Sequence, residues 1–525
     1  MPFRGFERCT PEAVGVRSDA VMRLLDRLEY GGFTEMHGLM IMRHGKVCAE
    51  GWWAPCAPGL RHALFSLSKT WTATAIGLLE YEGRLRVTDP VAALLPDKMP
   101  PVLTDELKKL TVRDLLTMSG GSDTELPDYP ADWLRDFFAR PIEHEPGTHW
   151  RYNSHGTTVL SAIVERLSGQ SMLDFLKEKL FPVIGVDGDN VLCRRAGDGT
   201  CLGGHGMFTT TEDNLRLMLL YLNGGVWEGK RLLSERFARD AVSPLLDNAP
   251  AHADAPWIHD NRVGYGYQIW MCRPEGSYRA DGAFGQFVVV VPGLDLIVSI
   301  NEAAYIGRNV SHTALSEKLM DRGFPDHPIH GPQQTLNALF EELLPGITQD
   351  GAALPESPDA LSLARRMARL SLPRPWPASR PVRPIAVTLV PLKGRISFRM
   401  LQSLGGRDPL EPQADRIRLE TRDGLLYVDF DEAGKRSRLI ADMTGGGMTG
   451  VLDPAGTGDV VSRVLCFARA DRDTLTLSVR WYETENHNKF TFTFGDGRVL
   501  IRKWTEAGIP DPLTECEAVY QIVKE

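Results

Sequence analysis

A mixed α/β (α+β) domain followed by a separate, antiparallel all-β domain is the fold that this 525-residue chain predicts. Three observations carry that reading. Helical and strand-like hydrophobic periods alternate over roughly the first 320 residues. Prolines 345, 355, 358, 373, 375, 377, 381, 384 and 391 then crowd a stretch with few large apolar side chains. Beyond it the apolar runs have the period of two that strands require. The boundaries that follow are 1–340 for the first domain, 341–391 for a proline-rich linker and 392–525 for a barrel or sandwich.

In chain order, "HGLMIMRHGKVCAEGWW" (37–53) predicts a hairpin, with a strand on either side of a turn at His44-Gly45. In "HALFSLSKTWTATAIGLLEYEG" (62–83), Leu64, Phe65, Leu67, Trp71, Ala75, Leu78 and Leu79 recur at roughly helical spacing, so the segment is a helix buried on most of its circumference. Ser66 and Lys69, three apart, share one face of it. An ammonium is costly to bury, so Lys69 is either paired or lowered in pKa, and both conditions occur at active sites.

"TVRDLLTMSGG" (111–121) reads as a short helix closed by glycines, and "TTVLSAIVERLSG" (157–169) as an amphipathic helix with a glycine stop. "TTTEDNLRLMLLYLNGG" (209–225) opens on a Thr/Glu N-terminal signature and ends the same way. "GAFGQFVVVVPGLDLIVSINEA" (282–303) returns to strands, two β-rich runs joined at Pro292-Gly293. The linker holds one short helix-like piece at 361–370. Strands are then expected at "RISFRML", "RIRLE", "LLYVDF", "SRLIAD", "TLTLSVRWYE" and "KFTFTF", with turns at Asp423-Gly424 and Asp496-Gly497. No 20- to 50-residue period repeats, which excludes a solenoid or propeller.

Composition narrows the function. At 43% apolar and 24% charged the chain is neither disordered nor collagenous. A net charge of -9 without a long Lys/Arg run argues against nucleic acid or an anionic membrane surface as partner, and for a small-molecule or short-peptide substrate. The start, "MPFRGFERCTPEAVGV", has no apolar h-region and no stretch of about 18 apolar residues follows, so a cytoplasmic location is expected. The eight cysteines (9, 48, 56, 193, 201, 272, 466, 516) form no CxxC pair and have no His-x-x-x-His nearby, so free, mostly buried thiols are expected, with no metal and no cofactor.

The segment "FSLSKTWTATAIGLLEYEGRLRVTDPVAALLP" resembles the first motif of the class C β-lactamase and penicillin-binding-protein-like serine hydrolases, in which Ser-x-x-Lys carries the nucleophile and its activating amine. The resemblance implies that Ser66 attacks a carbonyl carbon while Lys69 assists removal of its proton, as a neutral amine or as a nearby positive charge. "PGTHWRYNSHGTTVLSAIVERLSG" (146–169) is similar to the family's Tyr-containing turn before a helix. Tyr152 falls at the place of the catalytic tyrosine, and Ser154 at that of the commoner asparagine. The implied role of Tyr152 beside Lys69 is a proton shuttle from Ser66 to the leaving group. "TVRDLLTMSGG" and "GYGYQIW" add to a resemblance running from about residue 10 to about 320. The fold it implies is the β-lactamase-like transpeptidase fold, an antiparallel sheet flanked by helices plus a helical subdomain, with the site at their junction.

The third motif departs from the family. The strand position that usually reads Lys-Thr-Gly or His-Thr-Gly falls on Ala280-Asp281-Gly282, so the basic side chain that helps hold a substrate carboxylate is gone. The backbone N–H of Ala283, just past Gly282, together with that of Ser66, is the oxyanion hole the resemblance implies. His205, in "GGHGMFTTTEDN", is either a pocket-lining residue or an ordinary loop histidine. Arg279, alternating away from Ala280, is expected in a structural ion pair, and Trp150 and Tyr265 are candidate pocket walls. Two function classes follow. One is a serine hydrolase working through an acyl-enzyme on an ester or a peptide-like amide, rather than a classical β-lactamase. The other is a non-catalytic binding or scaffold protein that kept the fold, with a β-lactamase or D-aminopeptidase proper as a further alternative.

Overall fold

The computed structural model of the chain describes residues 5–124, 126–253, 258–304, 330–376, 384–398, 413–432, 434–452, 462–507 and 516–523. Its first domain is organised by one antiparallel sheet of β1 (Thr34–Arg43), β2 (Lys46–Trp52), β3 (Trp270–Met271), β4 (Tyr278–Gly282), β5 (Gln286–Val291) and β6 (Leu296–Ala304), in the order β2-β1-β6-β5-β4-β3. The β1–β2 turn lies where His44-Gly45 places it, both residues at positive φ, as a two-residue hairpin turn with the twist of its strands requires.

Strand periodicity decides what covers the sheet. On β1, Met40 and Met42 enter one core while Leu39 and Ile41 enter the other, and on β5 Val288 and Val290 separate in the same way from Phe287, Val289 and Val291. One face is covered by α1 (Ser18–Tyr30), whose Val21, Leu24, Leu25 and Leu28 share a core with the strands. The opposite face meets the helical subdomain: α2 (Ser68–Tyr81), α3 (Ser154–Ser168), α4 (Met172–Lys179) and α5 (Thr211–Leu222). Helix α3 begins three residues earlier than its apolar pattern, because the side chain of Asn153 accepts the Gly156 N–H at 2.9 Å and caps it. On α5 the capping partner of Thr210 is Asp213, with the bond made in both directions.

Downstream, α6 (Gly331–Ala338) and α7 (Pro358–Met367) lie on the α1 side of the sheet, where Leu336 and Leu363 join its core. Arg366 of α7 grips Asp26 at 2.7 Å and Glu29 at 2.6 Å, so this part of the proline-rich stretch is seated on the first domain. Pro377 and Pro381 lie outside the described residues.

The C-terminal domain is a closed β-barrel. It comprises β7 (Ala386–Lys393), β8 (Ala414–Arg422), β9 (Leu425–Glu432), β10 (Lys435–Asp442), β11 (Met448–Val451), β12 (Arg463–Asp471), β13 (Thr474–Trp481), β14 (His487–Gly495), β15 (Arg498–Ala507) and β16 (Cys516–Val523). The order is β10-β9-β8-β7-β16-β15-β14-β13-β12-β11, with β10 also bridged to β12.

One strand differs from the sequence expectation. The strand expected at "RISFRML" is instead β7, upstream and within the predicted linker; residues 395–398 are irregular, and Arg399, Met400 and Leu401 lie outside the described residues. Pro391 is tolerated in β7 because the register with β16 slips between Pro391 and Lys393. Beyond it, Ile396 gives its N–H to the Tyr520 hydroxyl and Phe398 gives its own to Glu432, while both side chains fill the barrel.

The barrel docks beside the start of the first sheet. Arg480 meets Glu35 at 3.1 Å, the N–H of Ala63 donates to the Glu483 carbonyl at 2.8 Å, and Ala63, Phe65, Phe208 and Phe284 are continuous with the barrel core. Among the described residues no helix is long and apolar enough to cross a membrane.

Candidate active site

The chain arrives at Ser66 held on both sides. His62 and Ala63 pair with Thr209 and Phe208, and Leu64 N–H donates to the Met207 carbonyl at 2.9 Å; the Ala63–Glu483 bond holds the other edge. Phe65 then takes a φ of 49°, a left-handed conformation that costs a bulky residue about 1–3 kcal/mol. Its ring sits edge-on to Phe284, itself at φ 63°, with centroids 5.1 Å apart. A single 3₁₀ turn, Phe65–Leu67, leads into α2 and leaves Ser66 partly exposed between two buried neighbours. Ser68 is fully buried and its Oγ accepts the Met207 N–H at 3.0 Å, so it is a structural serine.

Lys69 is 1% exposed. Its Nζ donates to the Gly204 carbonyl at 2.6 Å, to Ser154 Oγ at 3.1 Å and to Ser66 Oγ at 3.2 Å, and lies 4.7 Å from the centroid of the Tyr152 ring. Ser66, Tyr152, Ser154 and Gly204, drawn from three separate segments, therefore surround this one nitrogen. The carbonyl needs a close approach: a Cβ on Gly204 would stand 2.5 Å from the Ser154 carbonyl, and one on Gly203 would stand 2.5 Å from Thr72 Oγ1, which donates to the Gly203 carbonyl.

Tyr152 is backed by aromatic side chains. It stacks on Trp270 at 5.7 Å, and Trp150 lies 6.1 Å from it and 5.7 Å from Tyr265; Trp150, Tyr265 and Trp270 are all buried. Strand β4 passes in front of the Phe65–Leu67 turn so closely that a Cβ on Gly282 would lie 2.1 Å from the Leu64 carbonyl oxygen. Ala283 follows it, partly exposed. Ala280 is fully buried and presents no polar group.

Arg279, on the other face of the strand, is completely buried, bonded through Nε to Asp281 at 2.7 Å and through its terminal nitrogens to the Asp260 and Met271 carbonyls and to Asn261. Burial raises the Asp281 carboxyl above the usual range, against the opposing pull of Arg279.

His205 adjoins the Gly204 carbonyl in sequence, and its ring packs 5.5 Å from Tyr129, which stacks at 4.0 Å on His155. Burial first, and then the charge of Lys69, lower His205 to about 3, so it is a neutral imidazole. Burial likewise lowers His155 to about 4. No hydrogen bond from His205 to Ser66 is present among the described residues.

Sequence reasoning did not single out the Gly204 carbonyl or the left-handed Phe65, since neither a carbonyl nor a φ angle carries a side-chain signature. The paired glycines 203 and 204 were the available hint of a close approach.

This site lies within a region, residues 32–302, matched by a family model described as Beta-lactamase. The 6-aminohexanoate-dimer hydrolase of Paenarthrobacter ureafaciens is 27% identical over 311 residues, which span 55% of this chain and 78% of that protein. Penicillin-binding protein 4* of Bacillus subtilis is 33% identical over 153 residues, 25% of this chain but only 31% of that protein. A solved structure, a putative 6-aminohexanoate-dimer hydrolase from Bacillus anthracis, aligns with 65% of this chain and 89% of its own at 17% identity and a TM-score of 0.46. With the motif order, the sheet and the matched span in agreement, the chain belongs to the Beta-lactamase family.

Proposed function

We propose that this protein is a serine hydrolase that opens an ester or a peptide-like amide through an acyl-enzyme on Ser66. The observation that carries the reading is the buried Lys69 nitrogen between Ser66 Oγ and Ser154 Oγ, anchored by the Gly204 carbonyl. The three acceptors match the three N–H bonds of an ammonium. Once one proton has left, the lone pair can face Ser66 while the other two N–H bonds stay on Ser154 and Gly204, and the amine then accepts the serine proton as Oγ attacks. Tyr152, with its ring against the same nitrogen, passes the proton on to the leaving group. The N–H groups of Ser66 and Ala283 hold the oxyanion, across the gap that Gly282 keeps narrow.

Substrates lacking a recognised carboxylate are favoured, because Ala280 replaces the family's basic residue and the nearby Arg279 guanidinium is buried and occupied by Asp281 and backbone carbonyls. The Paenarthrobacter relative's name, 6-aminohexanoate-dimer hydrolase, supports an esterase or peptidase type over a classical β-lactamase. None of the eight cysteines is in a disulfide, which suits a reducing compartment, and we propose a cytoplasmic location.

The test is intact-mass spectrometry with a slow acyl donor, beside turnover of p-nitrophenyl esters, D- and L-aminoacyl amides and nitrocefin. One acyl adduct on the wild type and none on Ser66→Ala is the expected result. An adduct on Ser154, or full turnover by Ser66→Ala, would reject the assignment.

A further inference from the structure

Away from Ser66, the segment that runs into Tyr152 brings three metal-ligating side chains together. The carboxylate of Asp123 lies 2.9 Å from His144 Nε2 and 3.8 Å from His149 Nε2, and the two imidazoles stack with centroids 4.0 Å apart and planes 24° from parallel. All three donor atoms lie within 4.8 Å of one another. Ligands held tetrahedrally at about 2.1 Å from a zinc ion stand about 3.4 Å apart, so the two measured separations straddle the spacing that such an ion imposes.

The backbone fixes this arrangement. The N–H groups of Glu143 and His144 both donate to the Gly121 carbonyl at 2.9 and 3.0 Å, that of Gly147 donates to Ser119 at 2.9 Å, and that of Arg151 donates to Met118 at 2.7 Å. Asp123 is oriented in turn by its own N–H on the Glu143 carboxylate at 3.1 Å. The cluster is partly exposed, with side-chain accessibilities between 35% and 46%, so a cation can reach it from solvent.

We propose that Asp123, His144 and His149 form a binding site for a divalent first-row cation, with zinc as the best match to one carboxylate and two imidazoles. Three protein ligands leave the remaining position to water, and binding replaces the His144–Asp123 hydrogen bond with contacts to the cation. The cation would fasten 119–123 to 143–149, immediately upstream of Tyr152. The sequence expectation of no metal looked for closely spaced ligand pairs, whereas here the histidines are five apart and the carboxylate comes from another segment. The site is independent of the proposed reaction, since none of its three ligands belongs to the Ser66–Lys69 cluster.

The test is zinc chloride titrated calorimetrically into the full-length chain after chelation and desalting, with melting curves run alongside. The wild type is expected to take up one zinc ion and melt at a higher temperature with it. Asp123→Asn and His149→Ala should each bind at least about tenfold more weakly and lose the rise in melting temperature. Circular dichroism checks that the variants are folded, and His149→Gln replaces His149→Ala if the latter is not. Absence of zinc uptake by the wild type even at millimolar concentration, or wild-type affinity retained in Asp123→Asn and His149→Ala, would overturn the proposal, the second result placing the ion elsewhere on the chain.

Discussion

Lys69 and Gly204 are joined by a hydrogen bond of 2.6 Å from Nζ to the carbonyl oxygen, against 3.2 Å from the same nitrogen to Ser66 Oγ. The carbonyl aims the amine, and the serine receives what the amine has left to offer. Arginine cannot replace it, because a guanidinium keeps its proton at any accessible pH and its planar fork does not fit a pocket shaped for a compact amine. Lys69→Arg should lower kcat by about a hundredfold to ten-thousandfold, the span for losing a proton-transfer group. Steady-state rates beside circular dichroism decide it, and a variant retaining most of the activity would reduce Lys69 to a packing role.

Tyr152 presents its ring to that nitrogen and leans on Trp270. Tyr152→Phe preserves both contacts and deletes only the hydroxyl, so a drop in kcat of the same order as that of Lys69→Arg would report proton transfer rather than packing. The double variant should lose little beyond either single one, because groups acting as one unit are not additive. Multiplying losses would mean that the two residues work independently.

Gly282 is where two backbones nearly touch. Gly282→Ala places a methyl group 2.1 Å from the Leu64 oxygen, which can give way only if β4 or the Phe65–Leu67 turn moves. The expected outcome is a stability loss of about 1–3 kcal/mol, together with a fall in kcat/KM. Gly293→Ala, with nothing within 4 Å of its Cβ, is the control expected to be silent in both thermal melts and kinetics.

Glu302 is buried under the sheet, and burial raises it to about 8 although Thr34 and Thr335 both donate to its oxygens at 2.7 to 3.1 Å. An acid whose folded pKa is raised contributes most below its ordinary value of 4.5 and loses that contribution as the pH climbs through about 8. Glu302→Gln keeps the shape without the proton. Its melting temperature should therefore fall less than that of the wild type across this window, and parallel curves would show that the carboxyl does not titrate there.

Glu35 behaves in the opposite sense. Burial alone would push it up, but Arg480 and the nearby His37 ring, 3.7 Å away, hold it down at about 2. Its contribution is present above the ordinary value of 4.5 and is lost as the pH falls towards about 2. Arg480→Ala leaves the carboxylate buried without its cation and should cost about 3–5 kcal/mol. Limited proteolysis of the full chain should then separate the barrel from the first domain faster, and an unchanged cleavage rate would show that the pair does not secure it.

The fold was legible where one physical rule acted alone. Period-two runs on β5 and β6 and the glycine-stopped helix α3 could be read because burial sets the pattern and little competes with it. Ser66 and Lys69 were legible because a lysine on an apolar face demands a reason. Strand β7 was misplaced because proline density was taken for a linker, whereas a bulge at Pro391 lets the strand absorb it. Gly204 and the Asp123–His144–His149 cluster escaped because carbonyl direction and the meeting of distant segments are properties of tertiary structure. Ser154, standing where the family more commonly has an asparagine, accepts a hydrogen bond from Lys69 at 3.1 Å.

The bond between Ala63 and Glu483 also sets an order of events during synthesis. A chain emerging from the ribosome presents Ala63 and Ser66 early, yet the N–H of Ala63 finds its partner only after residue 483 has been made. Strand β1 likewise waits for β6 before the centre of its sheet can close. Ser66 is therefore made early, while one of the bonds that holds the chain leading into its turn can form only after residue 483 has been added.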